Sequence, residues 1–199
     1  QDRRIEGATI SILEFPDRSM VTGADGHFAF DGIPVGSEVS FVMQAPGYHI
    51  EQTGTHVVPP EGLERITFQG VTNDVYAALA AILGITPDEE GACQMPTTVT
   101  RIGKSLYDPG AHGEAGATVT IDPPLPAANG PIYFNSRVIP DPSLTETSDD
   151  GGVLYIPVPP GEYVMTAHKP GAEFRPVKFK CRPGVLVNAS PPWGLQRIE

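Results

Sequence analysis

The chain has few cysteines, few basic residues and no long apolar run. Its 199 residues include two cysteines and one tryptophan, and 13 Lys and Arg stand against 24 Asp and Glu, for a net charge of −11. Nucleic acids and anionic membrane surfaces bind through basic patches, so we expect neither as a partner. No apolar run reaches the roughly 20 residues that a spanning helix needs, so no membrane span is predicted.

The sequence also lacks the common signatures of catalysis. Its five histidines form no His-Glu-x-x-His pattern, and no Gly-x-Ser-x-Gly turn occurs. Gly103-Lys104-Ser105 has Thr98 where a phosphate loop needs its first glycine. We therefore predict no catalytic residue, no metal ligand and no cofactor. An enzyme with a spatially assembled site near His112 or His168 stays an alternative.

Glycine and proline are abundant instead, with 22 residues of each. They are interleaved with β-branched residues and follow no short period, which is typical of many short strands joined by turns. A twelve-residue pattern occurs twice, at residues 25–36 (DGHFAFDGIPVG) and 150–161 (DGGVLYIPVPPG). Each copy predicts an Asp-Gly turn, with Gly26 or Gly151 at positive φ, followed by a strand of alternating apolar residues. We expect Phe28, Phe30, Val153 and Tyr155 to be buried.

The flanking segments repeat as well. GATISI at residues 7–12 matches GATVTI at 116–121, and the apolar runs at 39–43 and 163–167 are each followed by Pro-Gly. This order of motifs resembles the carboxypeptidase regulatory-like family, whose members are seven-stranded transthyretin-like β-sandwiches. The resemblance implies an all-β fold of two tandem transthyretin-like antiparallel β-sandwiches. It implies little about function, because function depends on sites that differ among proteins of one fold.

The repeat divides the chain into three parts. We predict a first sandwich at residues 1–70, a helical linker at 71–91 and a larger second sandwich at 92–199. The second sandwich has a predicted strand at 97–106 and the turn Asp108-Pro109-Gly110 before its Gly-Ala strand. In the first sandwich only Gln1–Glu6 precedes Gly7, so we expect a shortened sheet edge or a strand outside this sequence. Other strands of the first sandwich are predicted at 28–30 and 63–68, among others.

A short helix is predicted in the linker. Asn73 is a suitable N-cap, Gly84 is a suitable C-cap, and apolar residues recur at helical spacing between them. We expect Leu79, Ile82 and Leu83 to be buried against a sandwich, since so short a helix is marginal alone. The alternative is a helix that binds a partner.

Cys93 and Cys181 lie near the two ends of the second sandwich. We predict a disulfide between them, with a pair of free thiols as the alternative. A disulfide persists in oxidising compartments, so it indicates a secreted, periplasmic or cell-surface protein.

The second sandwich carries an insertion at residues 122–149, and ordered insertions often carry function. A hairpin that only extends the sheet is the alternative. The predicted structural residues are Cys93, Cys181, Gly26, Gly151 and Asn73. The candidate binding surface comprises Tyr107, His112, Tyr133, Asn135 and Trp193.

The preferred function is a non-catalytic adhesion, scaffold or accessory binding protein outside the cytoplasm, with a protein or carbohydrate partner. A binding module for carbohydrate or a small ligand is the first alternative to it. Exposed Tyr107, Tyr133 and Trp193 on one face would favour that alternative, because sugar-binding surfaces use flat aromatic rings.

Overall fold

The computed structural model describes residues 4–108 and 112–199 of the chain. The predicted turn residues Pro109 and Gly110 lie outside these ranges. The fold is mostly β, with one short α-helix in the described residues, so the predicted all-β class is confirmed. Within the same ranges, no helix is long and apolar enough to cross a bilayer.

We call residues 4–70 the N-half and residues 92–199 the C-half. The strands of the N-half are β1 (Thr9–Ile12), β2 (Phe15–Val21), β3 (Glu38–Val39), β4 (Phe41–Gln44), β5 (Glu51–Gln52) and β6 (His56–Val57). The helix α1 (Asn73–Leu83) follows in the connecting segment. The strands of the C-half are β7 (Cys93–Thr100), β8 (Thr118–Asp122), β9 (Ile132–Phe134), β10 (Pro140–Asp141), β11 (Gly152–Val158), β12 (Gly161–His168), β13 (Val177–Cys181), β14 (Leu186–Val187) and β15 (Leu195–Gln196).

One sheet runs through both halves. Its strand order is β10-β9-β11-β7-β14-β5-β4-β1-β2, and β15 also pairs with β7. The strand β14 joins the halves, because it pairs with β5 of the N-half on one side and with β7 of the C-half on the other. Both of these pairings are parallel, and so is that of β15 with β7. The sequence predicted antiparallel pairing throughout. That part of the prediction is wrong, because these three strand pairs are parallel.

The C-half encloses the larger apolar core. A second sheet, of order β13-β12-β8, packs its apolar face against the first, and Met95, Val153, Tyr155 and Phe179 lie almost fully buried between them. The predicted burial of Val153 and Tyr155 is confirmed. The Cys93–Cys181 disulfide is confirmed too, and it links the first residue of β7 to the last of β13.

The repeated Asp-Gly turn has the same geometry in both halves. Gly26 (φ 66°) and Gly151 (φ 78°) take the predicted positive φ, and each backbone amide donates to the carbonyl three residues earlier. The side chains of Asp25 and Asp150 each accept a hydrogen bond from the backbone N–H two residues later, both at 3.1 Å. The turn chemistry is thus specified locally by Asp-Gly.

The chain after the turn differs between the halves. The predicted strand at 153–158 forms as part of β11, but residues 28–30 and 63–68 form no strand. Phe28 and Phe30 are only half-buried, so their predicted burial is wrong. The physical reason is the missing neighbour: β11 forms a ladder with β7, whereas the described residues contain no such strand in the N-half.

The helix is capped by Thr72 rather than by the predicted Asn73. Thr72 has extended backbone angles and its hydroxyl accepts from the Val75 N–H at 3.3 Å. Asn73 is already the first helical residue, and its N–H donates to the Gly47 carbonyl outside the helix. Gly84 is the C-cap in the left-handed conformation, as predicted.

No residue of α1 is buried, contrary to the expectation for Leu79, Ile82 and Leu83. Tyr76, Leu79, Ala80 and Leu83 recur at i, i+3, i+4 and i+7 and form the half-buried face. Ile82 lies on the opposite side and is 56% exposed. The helix therefore rests on the surface.

The insertion at residues 122–149 extends the sheet. It forms β9 and β10, a hairpin that pairs with the edge of β11, and a short 3-10 turn at Ala127–Asn129. The insertion is thus an ordered hairpin that extends the sheet at β11.

Candidate functional site

The junction of the two halves contains a group of buried polar side chains. Glu51 of β5 and Gln94 of β7 are both in register with Leu186 of β14, so the three side chains lie on one face of the sheet. Glu51 is fully buried, and its Oε1 accepts a hydrogen bond of 2.6 Å from the Val71 N–H. Gln94 is 1% exposed.

The helix α1 and the segments on either side of it complete this group. The rings of His49 and Tyr76 stack with centroids 3.8 Å apart and planes 11° from parallel. The Tyr76 hydroxyl donates to Glu89 Oε1 at 2.7 Å, and His49 Nε2 lies 3.7 Å from Glu89 Oε2. His49 N–H donates to the carbonyl of Val71, the residue whose own N–H bonds Glu51. We call these five residues, His49, Glu51, Tyr76, Glu89 and Gln94, the junction cluster.

Burial governs the electrostatics of the junction cluster. It raises the pKa of the Glu51 carboxyl from 4.5 to about 8, a shift that the hydrogen bond from Val71 opposes only in part. Burial lowers the pKa of the His49 imidazole, against the attraction of Glu89. At neutral pH the cluster therefore holds a neutral Glu51.

Several buried atoms of the cluster have no hydrogen-bond partner within the described part of the chain. They are Glu51 Oε2, His49 Nε2 and both terminal atoms of Gln94. The same part of the chain contains no group of three His, Cys, Asp or Glu placed to hold a metal ion. The cluster joins β5, β7 and the segment after α1 to the helix through Tyr76.

Ion pairs on the other side of the junction also join the halves. Lys180 of β13 lies 2.9 Å from Glu14 and 3.1 Å from Glu38, both in the N-half. Lys178 pairs with Glu38 and lowers the pKa of that carboxyl. Backbone and amide bonds add to these pairs: the Thr55 N–H donates to the Lys178 carbonyl at 2.8 Å, and Gln52 Nε2 donates to the Lys180 carbonyl at 2.6 Å.

The predicted binding surface does not form as one site. Tyr133 is 2% exposed, and its hydroxyl accepts from the Val119 N–H in the core of the C-half. Asn135 shapes a turn, because its side-chain oxygen accepts from the Arg137 N–H at 2.9 Å. Tyr133 is therefore a core residue, and Asn135 is half-buried at a turn.

The other three members of that surface lie elsewhere. Tyr107 is 43% exposed, and Trp193 is partly covered by the Arg65 guanidinium, 5.4 Å from the ring centroid. The Leu106 N–H donates to the Pro192 carbonyl, so Tyr107 and Trp193 are on neighbouring segments. His112 is half-buried, and its charge lowers the pKa of Asp150, although burial raises that pKa overall.

His168, the other histidine of the enzyme alternative, lines a shallow groove of about 650 Å³. Its Nε2 lies 2.8 Å from the Thr120 hydroxyl. The adjacent Lys169 is held by Glu114 and by the Ala115 carbonyl, and Arg197 lies 3.2 Å from the same carboxylate. This lysine is therefore engaged in an ion-pair network instead of being free to attack a substrate.

Sequence reasoning missed the junction cluster. The one available signal is Glu51-Gln52-Thr53, three polar residues in a row, and each is at most 2% exposed. Their burial depends on β14, which is more than 130 positions away in the chain, so no local pattern could have identified it.

No family model and no curated protein matches this chain. Among solved structures, the Bacillus anthracis TIE protein aligns with 92% of this chain at 15% identity and a TM-score of 0.28. The alignment spans 29% of that protein.

Proposed function

We propose that this protein is a non-catalytic scaffold or adhesion protein that works outside the cytoplasm, with its two transthyretin-like β-sandwich modules held as one rigid unit. The observation that carries the proposal is the position of β14, which makes a single sheet of strands from both halves. The lysine–glutamate pairs and the junction cluster support it from either side. A scaffold or adhesion protein needs its parts in fixed relative positions, and this junction supplies that rigidity.

The repeated Gly-Ala strand, Asp-Gly turn and apolar strand support the assignment of both halves to one module type. The disulfide supports a location in an oxidising compartment. The carbohydrate alternative has less support, because Tyr133 is a core residue and the Arg65 guanidinium lies over part of the Trp193 ring.

The four methionines allow a direct test of rigidity. Met20 and Met43 lie in the N-half, and Met95 and Met165 lie in the C-half. We expect the native NMR signals of all four methyl groups to disappear at one denaturant concentration, as in a single cooperative transition. Loss of the Met20 and Met43 signals at a clearly lower denaturant concentration would contradict a rigid unit.

The compartment is tested separately by thiol titration of the denatured protein, purified from its native source without reductant. Absence of titratable thiol is the expected result. Two free thiols per chain would contradict a function outside the cytoplasm.

A further inference from the structure

Residues 71–91 connect the two halves and lie over the junction cluster, and we call them the cover. The helix α1 forms the middle of the cover, and none of its residues is buried. Apolar burial therefore attaches the cover only in part, and polar contacts must add to it. A helix of three turns is marginal when it is not packed against the rest of a protein.

The start of the cover is bonded to a titratable side chain. The Val71 N–H donates to Glu51 Oε1 at 2.6 Å, and Glu51 is fully buried. The Val71 carbonyl accepts from the His49 N–H at 2.9 Å, and the Tyr76 ring stacks on the ring of His49. A carboxyl that can gain or lose charge is thus bonded directly to the backbone of the cover.

The cover carries charge of one sign. It contains no lysine, arginine or histidine, and it has four carboxylates, at Asp74, Asp88, Glu89 and Glu90. Like charges repel each other most strongly where little water separates them. An ionised Glu51 would therefore lie beneath a segment of its own sign.

The sheet supplies no compensating cation to Glu51. The side chains beside it on its own face of the sheet are uncharged: Met43, Leu186 and Gln94. In the part of the chain that the structure describes, its Oε2 has no hydrogen-bond partner. Arg182 lies on the opposite face of β5, where its Nε donates to Gln52 Oε1 at 3.0 Å. A charge on Glu51 is thus left with the Val71 N–H as its bonded partner.

We propose that the cover is a proton-controlled lid, which stays closed over a neutral Glu51 and lifts when this carboxyl loses its proton. Lifting lets water solvate the carboxylate, and this costs less than keeping an unpaired charge buried in the sheet. The pairing of β14 with β5 and β7 does not involve the cover, so the halves stay joined in the open state. The proposal therefore does not depend on the proposed function.

The other titratable groups of the junction cluster do not lift the cover as pH rises. Burial lowers the pKa of His49, so the imidazole gains its charge in acid, where it faces Glu89 Oε2 at 3.7 Å. Burial raises the pKa of Tyr76, so its hydroxyl stays neutral and keeps its bond to Glu89. An opening that grows with rising pH is therefore specific to Glu51.

The pH range of the opening follows from the two states of Glu51. Its pKa is about 8 when the cover is closed, whereas a solvated carboxyl in the open state has the ordinary value of 4.5. The stability of the closed state is therefore complete below pH 4.5 and is lost as pH rises toward 8. In this range the equilibrium constant for opening should rise by up to about tenfold per pH unit, and above it the constant should level off.

Native-state hydrogen exchange of the intact protein tests the lid. Three amides report its contacts, because they donate between the cover and the residues beneath it: His49, Val71 and Asn73. After correction for the intrinsic exchange rate at each pH, we expect their opening constants to rise by about 50-fold from pH 6 to pH 8. A constant value over this range would overturn the proposal.

Low concentrations of denaturant distinguish lifting from global unfolding. Lifting exposes little surface, so the three opening constants should hardly change below the unfolding transition. The amides of residues 153–158 lie in the core strand β11, and their opening constants should rise steeply with denaturant. Identical opening constants at both places, at every pH and denaturant concentration, would mean that the cover opens only by global unfolding and would overturn the proposal.

Two variants identify the titrating group. Glu51→Gln keeps an acceptor for the Val71 N–H but does not titrate, so the opening constants should no longer change between pH 6 and pH 8. Glu89→Gln is the matched control, because it removes a carboxylate of the cover and keeps an acceptor for the Tyr76 hydroxyl. The pH dependence should persist in this control. The same dependence in all three proteins, or its loss only in Glu89→Gln, would overturn the proposal, and the wild-type measurement decides the matter if Glu51→Gln does not fold.

Discussion

The two copies of the Asp-Gly turn have nearly identical hydrogen bonds, yet the chain that follows them differs. After Gly151 the chain enters β11, which pairs with β7 on one side, pairs with β9 at Val153 and Leu154 on the other, and is mostly buried. After Gly26 a less apolar segment, with His27 and Asp31 in it, forms no strand, and its Phe28 and Phe30 stay half-buried. The comparison teaches that a local sequence can specify a turn, whereas a strand requires a neighbouring strand to pair with.

The same comparison explains how stability is distributed. The C-half has a core enclosed between two sheets and a disulfide across it, whereas the N-half core is covered on one side by the half-buried, non-strand segments 27–33 and 63–69. We therefore expect matched substitutions to cost more in the C-half. The predictions below test this difference from the largest expected effect to the smallest.

Removing the disulfide should have the largest effect. The double variant Cys93→Ala and Cys181→Ala opens a crosslink between residues 88 positions apart. The chain-entropy model values such a link at about 4–5 kcal/mol, an upper figure because native strain subtracts from it. Denaturant unfolding measures the loss, and a change below about 1 kcal/mol would show that the C-half does not depend on the crosslink.

Core truncation should distinguish the halves directly. Phe179 in the C-half is fully buried, so Phe179→Ala should cost about 3–5 kcal/mol. Phe28→Ala removes the same atoms from a half-buried site of the N-half and should cost about 1–2 kcal/mol. Equal losses of unfolding free energy would contradict the weaker burial of Phe28 in the N-half.

The buried Glu51 should make the junction sensitive to pH. Its folded-state pKa of about 8 lies above the unfolded value of 4.5, so the unfolded chain releases this proton first as pH rises. Unfolding free energy should therefore fall between these two values, by up to about 1.4 kcal/mol per pH unit, and then level off.

The control for this effect is Glu51→Gln, which keeps an acceptor for the Val71 N–H but does not titrate. The lowered pKa values of His49 and His56 give an opposite slope at lower pH, and both proteins share them. The unfolding free energy of the variant minus that of the wild type should therefore increase from pH 5 to pH 8, because only the wild type has a titrating Glu51. A constant difference would show that Glu51 is ionised in the folded protein.

The lysines at the junction form a matched pair for substitution. Lys180 and Glu14 are 19% and 16% exposed, so Lys180→Met leaves a poorly solvated carboxylate and should cost about 1–3 kcal/mol. Lys178 is more exposed, and Lys178→Met should cost less than about 1 kcal/mol. Chemical denaturation at low salt measures both, and a reversed order would mean that Lys180 does not join the halves.

The smallest effect is expected at the helix cap. Thr72→Ala removes the hydroxyl that accepts from Val75 and should cost about 1 kcal/mol. Asn73→Ala should change the unfolding free energy by less than about 0.5 kcal/mol, because Asn73 is inside the helix. The opposite ranking would restore Asn73 as the cap.

Local features of this fold could be predicted from the sequence, and long-range ones could not. The positive φ of Gly26 and Gly151, the cap at Gly84 and the Cys93–Cys181 bond all follow from residue chemistry or spacing. The absence of a strand at residues 28–30 could not be predicted in this way. Whether a strand forms there depends on a neighbouring strand, which the alternation of the segment itself does not reveal.

The junction cluster could not be predicted from the sequence, because it also depends on long-range strand pairing. The pairing of β14 with β5 and β7 brings Glu51 and Gln94 to the two sides of Leu186, although these residues are far apart in the chain. Tyr133 illustrates the converse error: it lies in an insertion that suggested a binding surface, yet its ring completes the core.

Native-state amide hydrogen exchange tests the contrast between the halves most directly. Amides at residues 28–33 and 63–69 should exchange through small local fluctuations, whereas those at 153–158 should exchange only through global unfolding. Residues 28–33 and 153–158 both follow an Asp-Gly turn, so each serves as an internal control for the other. Equal, strong protection of both would contradict an unpaired strand position in the N-half.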